Sequence, residues 1–400
     1  MALIDQLFPN VHSALETISK QENFTDFVIT YCDKIEKGQG FMGDVFFLNI
    51  QDKNSNKKLE LVVKQSTDSE YVRNNIPIHI LYNNESNFYE KIWPTFIDFQ
   101  KENLKTLIFN NLPKCYATDL KPGNEFLILE NLNKNNFSNI DKNHFFNREQ
   151  AEYILIKFGQ FHGLSFAYKN KYPKEFSALS QVLIPYWMIL SNIDLFQSLM
   201  KKGFTECLRY LDPSTDLNII EKIKGYVENG VAIFQNSVTY NGNNGVILQG
   251  DCWSNNIFLK YNNIGKLEDM KMIDFQISNV GSVVHDLSYC LYAGGSKEIF
   301  DNFNHYLKIY HESLSDTCLK FSCPNFISLD ELKEEWKNYG RCGFILGIIL
   351  IDIKLSENVS LDDMAKMNDE GVQNFSQDDA QTIKRKLLEL VNHMFENDFL

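Results

Sequence analysis

Alternating apolar and polar residues are concentrated before residue 131, whereas apolar residues at helical spacing dominate the rest of the chain. Periods of two and 3.6 bury different faces, so a sequence divided this way builds a β-rich amino-terminal lobe and a mainly helical carboxy-terminal lobe. The expected fold is α+β and two-lobed, with residues 1–130 and 131–400 as its parts and a cleft between them. One stretch breaks the pattern. VILQGDCWSNNIFLK, residues 246–260, and the nearby MKMI leading to Asp274 insert a short β island into the helical half. Its polar residues fall on turns at strand ends, where chemistry is commonly hosted.

The amino-terminal pattern resolves further. After an amphipathic preamble to about Thr25, FVITYCDKIEKGQGFMGDVFFLNI predicts two strands around a glycine-rich turn. LELVVKQ places Leu59, Leu61 and Val63 on one strand face and Val62 and Lys64 on the other. NNESNFYEKIWPTF predicts a helix ending near Pro94, and KCYAT and NEFLILENL predict strands about the turn Lys121-Pro122-Gly123. In the helical half, Asn147-Arg148-Glu149-Gln150 spells a capping box ahead of Ala151, Ile154, Leu155, Phe158, His162 and Ser165, a run closed by Pro173. Ser328-Leu329-Asp330-Glu331 and Ser376-Gln377-Asp378-Asp379 predict two further helix starts.

Charge and cysteine usage narrow the function classes. A net charge of -13 argues against a general phosphate-backbone binder, and so against a nucleic-acid partner. Eight cysteines without a C-x-x-C pair or a His/Cys cluster at metal spacing suit reduced thiols. MALIDQLFPN lacks the basic and apolar regions of a secretory signal. The longest apolar run, GFILGIILI, falls short of the roughly 20 residues of a bilayer span and predicts a buried helix. These features place the expectation on a cytoplasmic protein without a membrane span and with no obligate protein partner evident.

Three groups of residues carry chemistry. Gly38, Gly40 and Gly43 form a G-x-G-x-x-G that would let backbone N–H groups approach an anion, but it lies between two strands, outside the strand-to-helix context of a dinucleotide fold. A plain hairpin turn reads the same way. Lys64 ends an apolar strand, and a phosphate-binding lysine there needs an acidic partner. Glu85 is the natural candidate and Glu90 the competitor, since five residues on one helix turn them in different directions. Asp251, Asn256 and Asp274 supply two carboxylates and an amide oxygen, a hard-oxygen set suited to Mg²⁺.

LQGDCWSNNIFLK, MIDFQISNVGSVVHDLSYCLY and LVVKQ together resemble the ecdysteroid kinase-like family, a branch of the choline-kinase and aminoglycoside-phosphotransferase group with a protein-kinase-like fold. The order of motifs covers most of the chain. The resemblance implies an ATP- and Mg²⁺-dependent transfer of the γ-phosphate to an alcohol. It gives Asp251 the role of catalytic carboxylate, Asn256 and Asp274 the metal, and Lys64, held by Glu85, the α- and β-phosphates. It also implies that Asp286 braces the catalytic loop, and that backbone groups near Glu130 and Leu132 in ILENL hold the adenine. Gly38, Gly40, Gly43 and Val62 join Lys64 in the nucleotide site. One departure stands out: the family usually has His before Gly-Asp, and this chain has Gln249, whose amide also offers a donor and an acceptor for bracing. His162 is expected in the core or behind the site.

Residues 176–196 are rich in aromatic and aliphatic side chains, and Tyr186, Trp187 and Phe196 are candidates for an acceptor pocket. An ecdysteroid or similar apolar alcohol is the expected small-molecule substrate. Overall acidity leaves a cationic acceptor, choline- or aminoglycoside-like, as the alternative. Gln249 leaves a nucleotide-binding pseudokinase with a regulatory or ligand-sequestering role as another. A protein-kinase role is disfavoured, because no DFG…APE segment follows Asp274.

Overall fold

The computed structural model describes residues 6–33, 43–140, 144–355 and 377–400. Strands β1 (Phe27–Asp33), β2 (Gly43–Asp52), β3 (Lys58–Ser66), β4 (Cys115–Asp119) and β5 (Phe126–Glu130) form an antiparallel sheet in the spatial order β1-β2-β3-β5-β4. The preamble is helix α1 (Pro9–Gln21), whose stripe Val11, Leu15 and Ile18 packs on one sheet face against Leu48, Ile50, Leu61, Val63 and Ile128. Val62 and Lys64 point to the opposite face, as the alternation of LELVVKQ requires.

On the side of that second face α3 (Ile78–Asn87) meets β5, with α2 (Glu70–Asn75) before it and α4 (Trp93–Leu104) after it, and one π-helical turn, Phe88–Ile92, joins α3 to α4. The helix expected to end near Pro94 runs on. Pro94 sits in the first turn of α4, where its missing N–H costs little. The Trp93 N–H bonds five residues back, to the Phe88 carbonyl, so the widened turn absorbs the break in the ladder.

The carboxy-terminal part is helical around a β island. Strand β6 (Phe137–Asn139) leads to α5 (Arg148–Lys171), which opens on the expected reciprocal cap between Asn147 and Gln150. Then come α6 (Pro173–Ser180), α7 (Tyr186–Leu190), α8 (Asp194–Tyr210) and α9 (Leu217–Val238). The island consists of β7 (Val246–Ile247) paired with β10 (Val280–Gly281), and of β8 (Ile257–Tyr261) between β6 and β9 (Leu267–Met272). Helices α10 (Val283–Gly294), α11 (Lys297–Asp301), α12 (Phe303–Lys320), α13 (Leu329–Leu355) and α14 (Gln377–Glu396) complete it. Ser328 and Glu331 cap α13 reciprocally, while Ser376 lies outside the described residues. GFILGIILI is the buried end of α13, and no helix among the described residues is long and apolar enough to cross a membrane.

One apolar core runs from α3 and α4 through α5 and the island into α10 and α13. At its centre Phe275 stacks on Phe88, with centroids 3.8 Å apart, and meets Phe161 edge-on. Helices α10 and α13 approach closely at Gly343, where a β-carbon would lie 2.2 Å from the Ser288 carbonyl carbon. Gly343→Ala should therefore destabilise the fold by about 1–3 kcal/mol, read as a lower urea midpoint. His393 of α14 is buried against Tyr292, Phe300 and Phe303, and burial pushes its pKa from 6.5 to about 4. The native state must keep this ring neutral, so its contribution is whole above pH 6.5 and is lost as pH falls toward 4. Between pH 7 and pH 5, chemical denaturation should show His393→Phe losing about 2 kcal/mol less than the wild type.

Candidate active site

Lys64 is where the two parts of the chain meet. Its ammonium lies 2.8 Å from Glu85 Oε2 on α3 and 2.6 Å from Asp274 Oδ1, just past β9. The choice between the two glutamates is thereby decided geometrically: Glu90 has turned away, and its carboxylate accepts from the Thr118 hydroxyl. The Phe88–Phe275 stack explains how α3 and the island come together, because Phe275 adjoins Asp274 in sequence and Phe88 follows α3. Asp274 adopts φ +64°, a left-handed conformation that short polar side chains tolerate.

Asp251 lies on the loop between β7 and β8, buried. Its Oδ1 accepts from the Tyr289 hydroxyl at 2.9 Å, and its Oδ2 from Asn256 Nδ2 at 2.9 Å. The same Asn256 Nδ2 reaches the Asp251 backbone carbonyl, and the Asn256 carbonyl accepts from the Ile273 N–H, which draws the end of β9 to the loop. Asp251, Asn256, Asp274, Lys64 and Glu85 therefore form one constellation.

Gln249 and Asp286 hold this loop in shape. Asp286, in the first turn of α10, accepts from the backbone N–H groups of Gln249 at 2.8 Å and Gly250 at 2.9 Å. His162 Nε2 lies 3.2 Å from the same carboxylate and its Nδ1 2.9 Å from the Tyr310 hydroxyl, so His162 stands behind the loop, fully buried, as expected. Burial opposes the Asp286 charge, yet His162, Cys252 and the Gln249 amide hold its pKa below the usual carboxylate range. Gln249 uses both ends of its amide. Oε1 accepts from the Asp251 N–H at 2.7 Å, and Nε2 donates to the carbonyls of Ile273 at 2.8 Å and Asp274 at 3.0 Å. Gly250, at φ +89°, passes so close to Ile277 that a β-carbon would lie 2.3 Å from its carbonyl oxygen.

The electrostatics follow from one ammonium facing three carboxylates, Glu85, Asp251 and Asp274. Burial, then the neighbouring Asp274 charge, pushes Asp251 up to about 7 against the pull of Tyr289, Asn256 and Lys64. Burial also lifts Glu85, to about 7, with Lys64 opposing and Asp274 adding. Lys64 moves upward despite its burial, because Asp274 and Glu85 both favour its charged form. The fully ionised set carries an excess of two negative charges, and its donors are oxygens only. Asn256 spends its Nδ2 on Asp251, which leaves the amide oxygen as its donor to a cation. A hard divalent ion such as Mg²⁺ fits this set by charge and by donor type.

The remaining expected site residues are placed unevenly. Gly38 and Gly40 lie outside the described residues, whereas Gly43 opens β2 opposite Ser66, where a β-carbon would come within 2.1 Å of the Gln65 carbonyl oxygen. Val62 is half-buried and shares its strand face with Lys64. At the end of β5, the Glu130 N–H is already bonded to the Lys114 carbonyl and the Asn131 N–H to that of Glu60. Those two amides are committed within the lobe, while Leu132 opens a short 3₁₀ turn. Of the acceptor candidates, Trp187 alone is seen to bond the loop, donating from Nε1 to the Gly250 carbonyl at 3.2 Å. Phe196 packs on Phe234 at 4.9 Å in the core, and Tyr186 is fully buried.

Two contacts were not read from the sequence. Asn84, beside Glu85, clasps Ile184 through both its amide ends and also donates to the Gln276 carbonyl, tying α3 to the segment before α7. Its only signal was adjacency to Glu85. Tyr289 reaches Asp251, and the signal was there in its spacing of three from Asp286 on one helix.

Residues 37–322 match the ecdysteroid kinase-like family. No curated protein matches the chain significantly. Gln249 stands where that family's sequences were expected to carry His, and the structure gives its amide three bracing bonds. Gln249→Leu would leave the Asp251 N–H and two carbonyls without these partners, so it should cost about 2–4 kcal/mol in a denaturation titration. Gln249→His should lose much less.

Proposed function

We propose that this chain, which belongs to the ecdysteroid kinase-like family of small-molecule kinases, transfers the γ-phosphate of ATP to an alcohol hydroxyl of an ecdysteroid or similar apolar compound. The observation that carries the reading is the Lys64 ammonium held between Glu85 and Asp274 beside Asp251, residues delivered by four separate elements of the fold. Phosphoryl transfer asks mainly for alignment and charge stabilisation, and such a constellation supplies both.

In this reading Asp251 orients the acceptor hydroxyl and takes its proton as the oxygen–phosphorus bond forms and the bond to the ADP oxygen breaks. Lys64 neutralises charge on the α- and β-phosphates, with Glu85 fixing its ammonium. Asn256 and Asp274 would hold Mg²⁺, which supplies charge neutralisation on the phosphate oxygens when bound. Gln249 and Asp286 keep the loop that bears Asp251 from shifting. Because Gln249 fills both the donor and the acceptor side of that brace, its presence gives no reason to expect an inactive fold. Trp187, whose indole donates to the Gly250 carbonyl, sets one apolar side chain of the segment 176–196 against the loop, which supports an apolar acceptor.

Mg-ATP should raise the apparent melting temperature of the wild type and of Asp251→Asn, since ligand binding to the folded form stabilises it by mass action. Lys64→Met should lose most of that shift. With ATP, Mg²⁺ and a steroid panel, mass spectrometry should detect a phosphate ester, and Asp251→Asn should reduce its formation by on the order of 10²–10⁴-fold. Wild-type turnover by Asp251→Asn would remove the role given to that carboxylate.

A further inference from the structure

Asp286 and Tyr289 lie three residues apart on α10, so both side chains leave the same face of the helix, toward the Gln249–Asn256 loop. Asp286 binds the loop backbone, accepting from the N–H groups of Gln249 and Gly250. Tyr289 binds the side chain that the loop displays. Its hydroxyl donates to Asp251 Oδ1 at 2.9 Å, while Asn256 Nδ2, from the far end of the loop, donates to Oδ2 at 2.9 Å. Each oxygen of Asp251 thus has a donor from a different element, and turning the carboxylate about its last torsion breaks both bonds.

The tyrosine is itself locked. It is only 3 % exposed, and its ring meets the Trp187 indole edge-on at 5.9 Å. Trp187 donates its own N–H to the Gly250 carbonyl, one residue before Asp251. The indole therefore joins the tyrosine ring and the loop backbone from the side of α7. A buried phenol needs a partner, and a backbone carbonyl would serve that need. Here the donor is spent instead on a buried carboxylate whose second oxygen is already held, which fixes direction as well as satisfying the phenol.

We propose that Tyr289 is a positioning residue for phosphoryl transfer: it sets the rotation of the Asp251 carboxylate so that a free lone pair faces the acceptor hydroxyl, with Trp187 holding the tyrosine ring in place. The inference rests on the reading of Asp251 as the proton acceptor. Tyr289 touches neither the nucleotide nor the proton in flight, and it acts only through Asp251.

Tyr289→Phe keeps the ring and its contact with Trp187 and deletes the bond. Its partner control is Tyr292→Phe, which removes another buried hydroxyl from α10, one that accepts from Trp336 Nε1 at 2.7 Å and lies away from the loop. Steady-state kinetics with ATP, Mg²⁺ and ecdysone, read as ADP release, should show kcat of Tyr289→Phe reduced by about 10- to 100-fold, the loss that small misplacements of a reacting group bring. The KM for ATP should stay within about twofold. Tyr292→Phe should lose thermal stability and keep its kcat. A kcat for Tyr289→Phe equal to that of the wild type, or an equal fall in both variants, overturns the proposal. Crystal structures of the wild type and Tyr289→Phe separate this inference from the functional reading. If the wild type releases no ADP, the reading of the site as a kinase fails, and the carboxylate alone decides about Tyr289. A rotated Asp251 with α10 unmoved supports positioning, and an unrotated one refutes it.

Discussion

One largely buried ammonium, that of Lys64, has to satisfy carboxylates from two directions, and it ties the β-rich part of the chain to the helical part. Glu85 comes from a helix packed on the sheet, and Asp274 comes from the β island of the helical part. Neither carboxylate is free to leave. A buried charge stripped of its partner costs several kcal/mol, so the three groups hold one another at fixed distances once the apolar packing has brought them within reach. The Phe88–Phe275 stack does that packing directly beneath them. The negative charge left over is what makes the place suited to phosphates accompanied by a divalent ion.

Around this triad the loop from Gln249 to Asn256 is built almost entirely from hydrogen bonds that cross between elements. Asp286 and His162 support it from below, Gln249 stitches it to the end of β9, and Tyr289 and Asn256 grip the carboxylate it presents. Such a network is costly when half-made and rigid when complete, because each buried group left without a partner forfeits its solvation. Substituting an amide for an imidazole before Gly250 preserves completeness. At that position the loop receives one acceptor and two donor contacts in fixed directions, and an amide supplies them.

Much of this was legible in the residues. The alternation in LELVVKQ put Lys64 opposite the buried leucine and valine, the capping box of α5 was spelled out at Asn147 and Gln150, and Asp251, Asn256 and Asp274 stood at strand ends as a hard-oxygen set. Pro94 misled, because proline is read as a helix stop from its missing N–H, whereas a π turn upstream leaves that N–H without a bond to make. The acceptor candidates were chosen for their side chains alone. All three are buried in one core, and what sets Trp187 apart is its hydrogen bond to the Gly250 carbonyl, a distinction that composition does not contain.

By itself the sequence determined the kinds of element, the faces they bury and the residue types available for charge and coordination, since these follow from local periodicity and side-chain chemistry. Tertiary structure decided the pairings: Glu85 over Glu90 for Lys64, three bonds for Gln249, and Tyr289 and Asn256 on opposite oxygens of Asp251. Those choices depend on distances of a few ångströms between groups as much as two hundred residues apart, and such distances are set only when the whole apolar core closes.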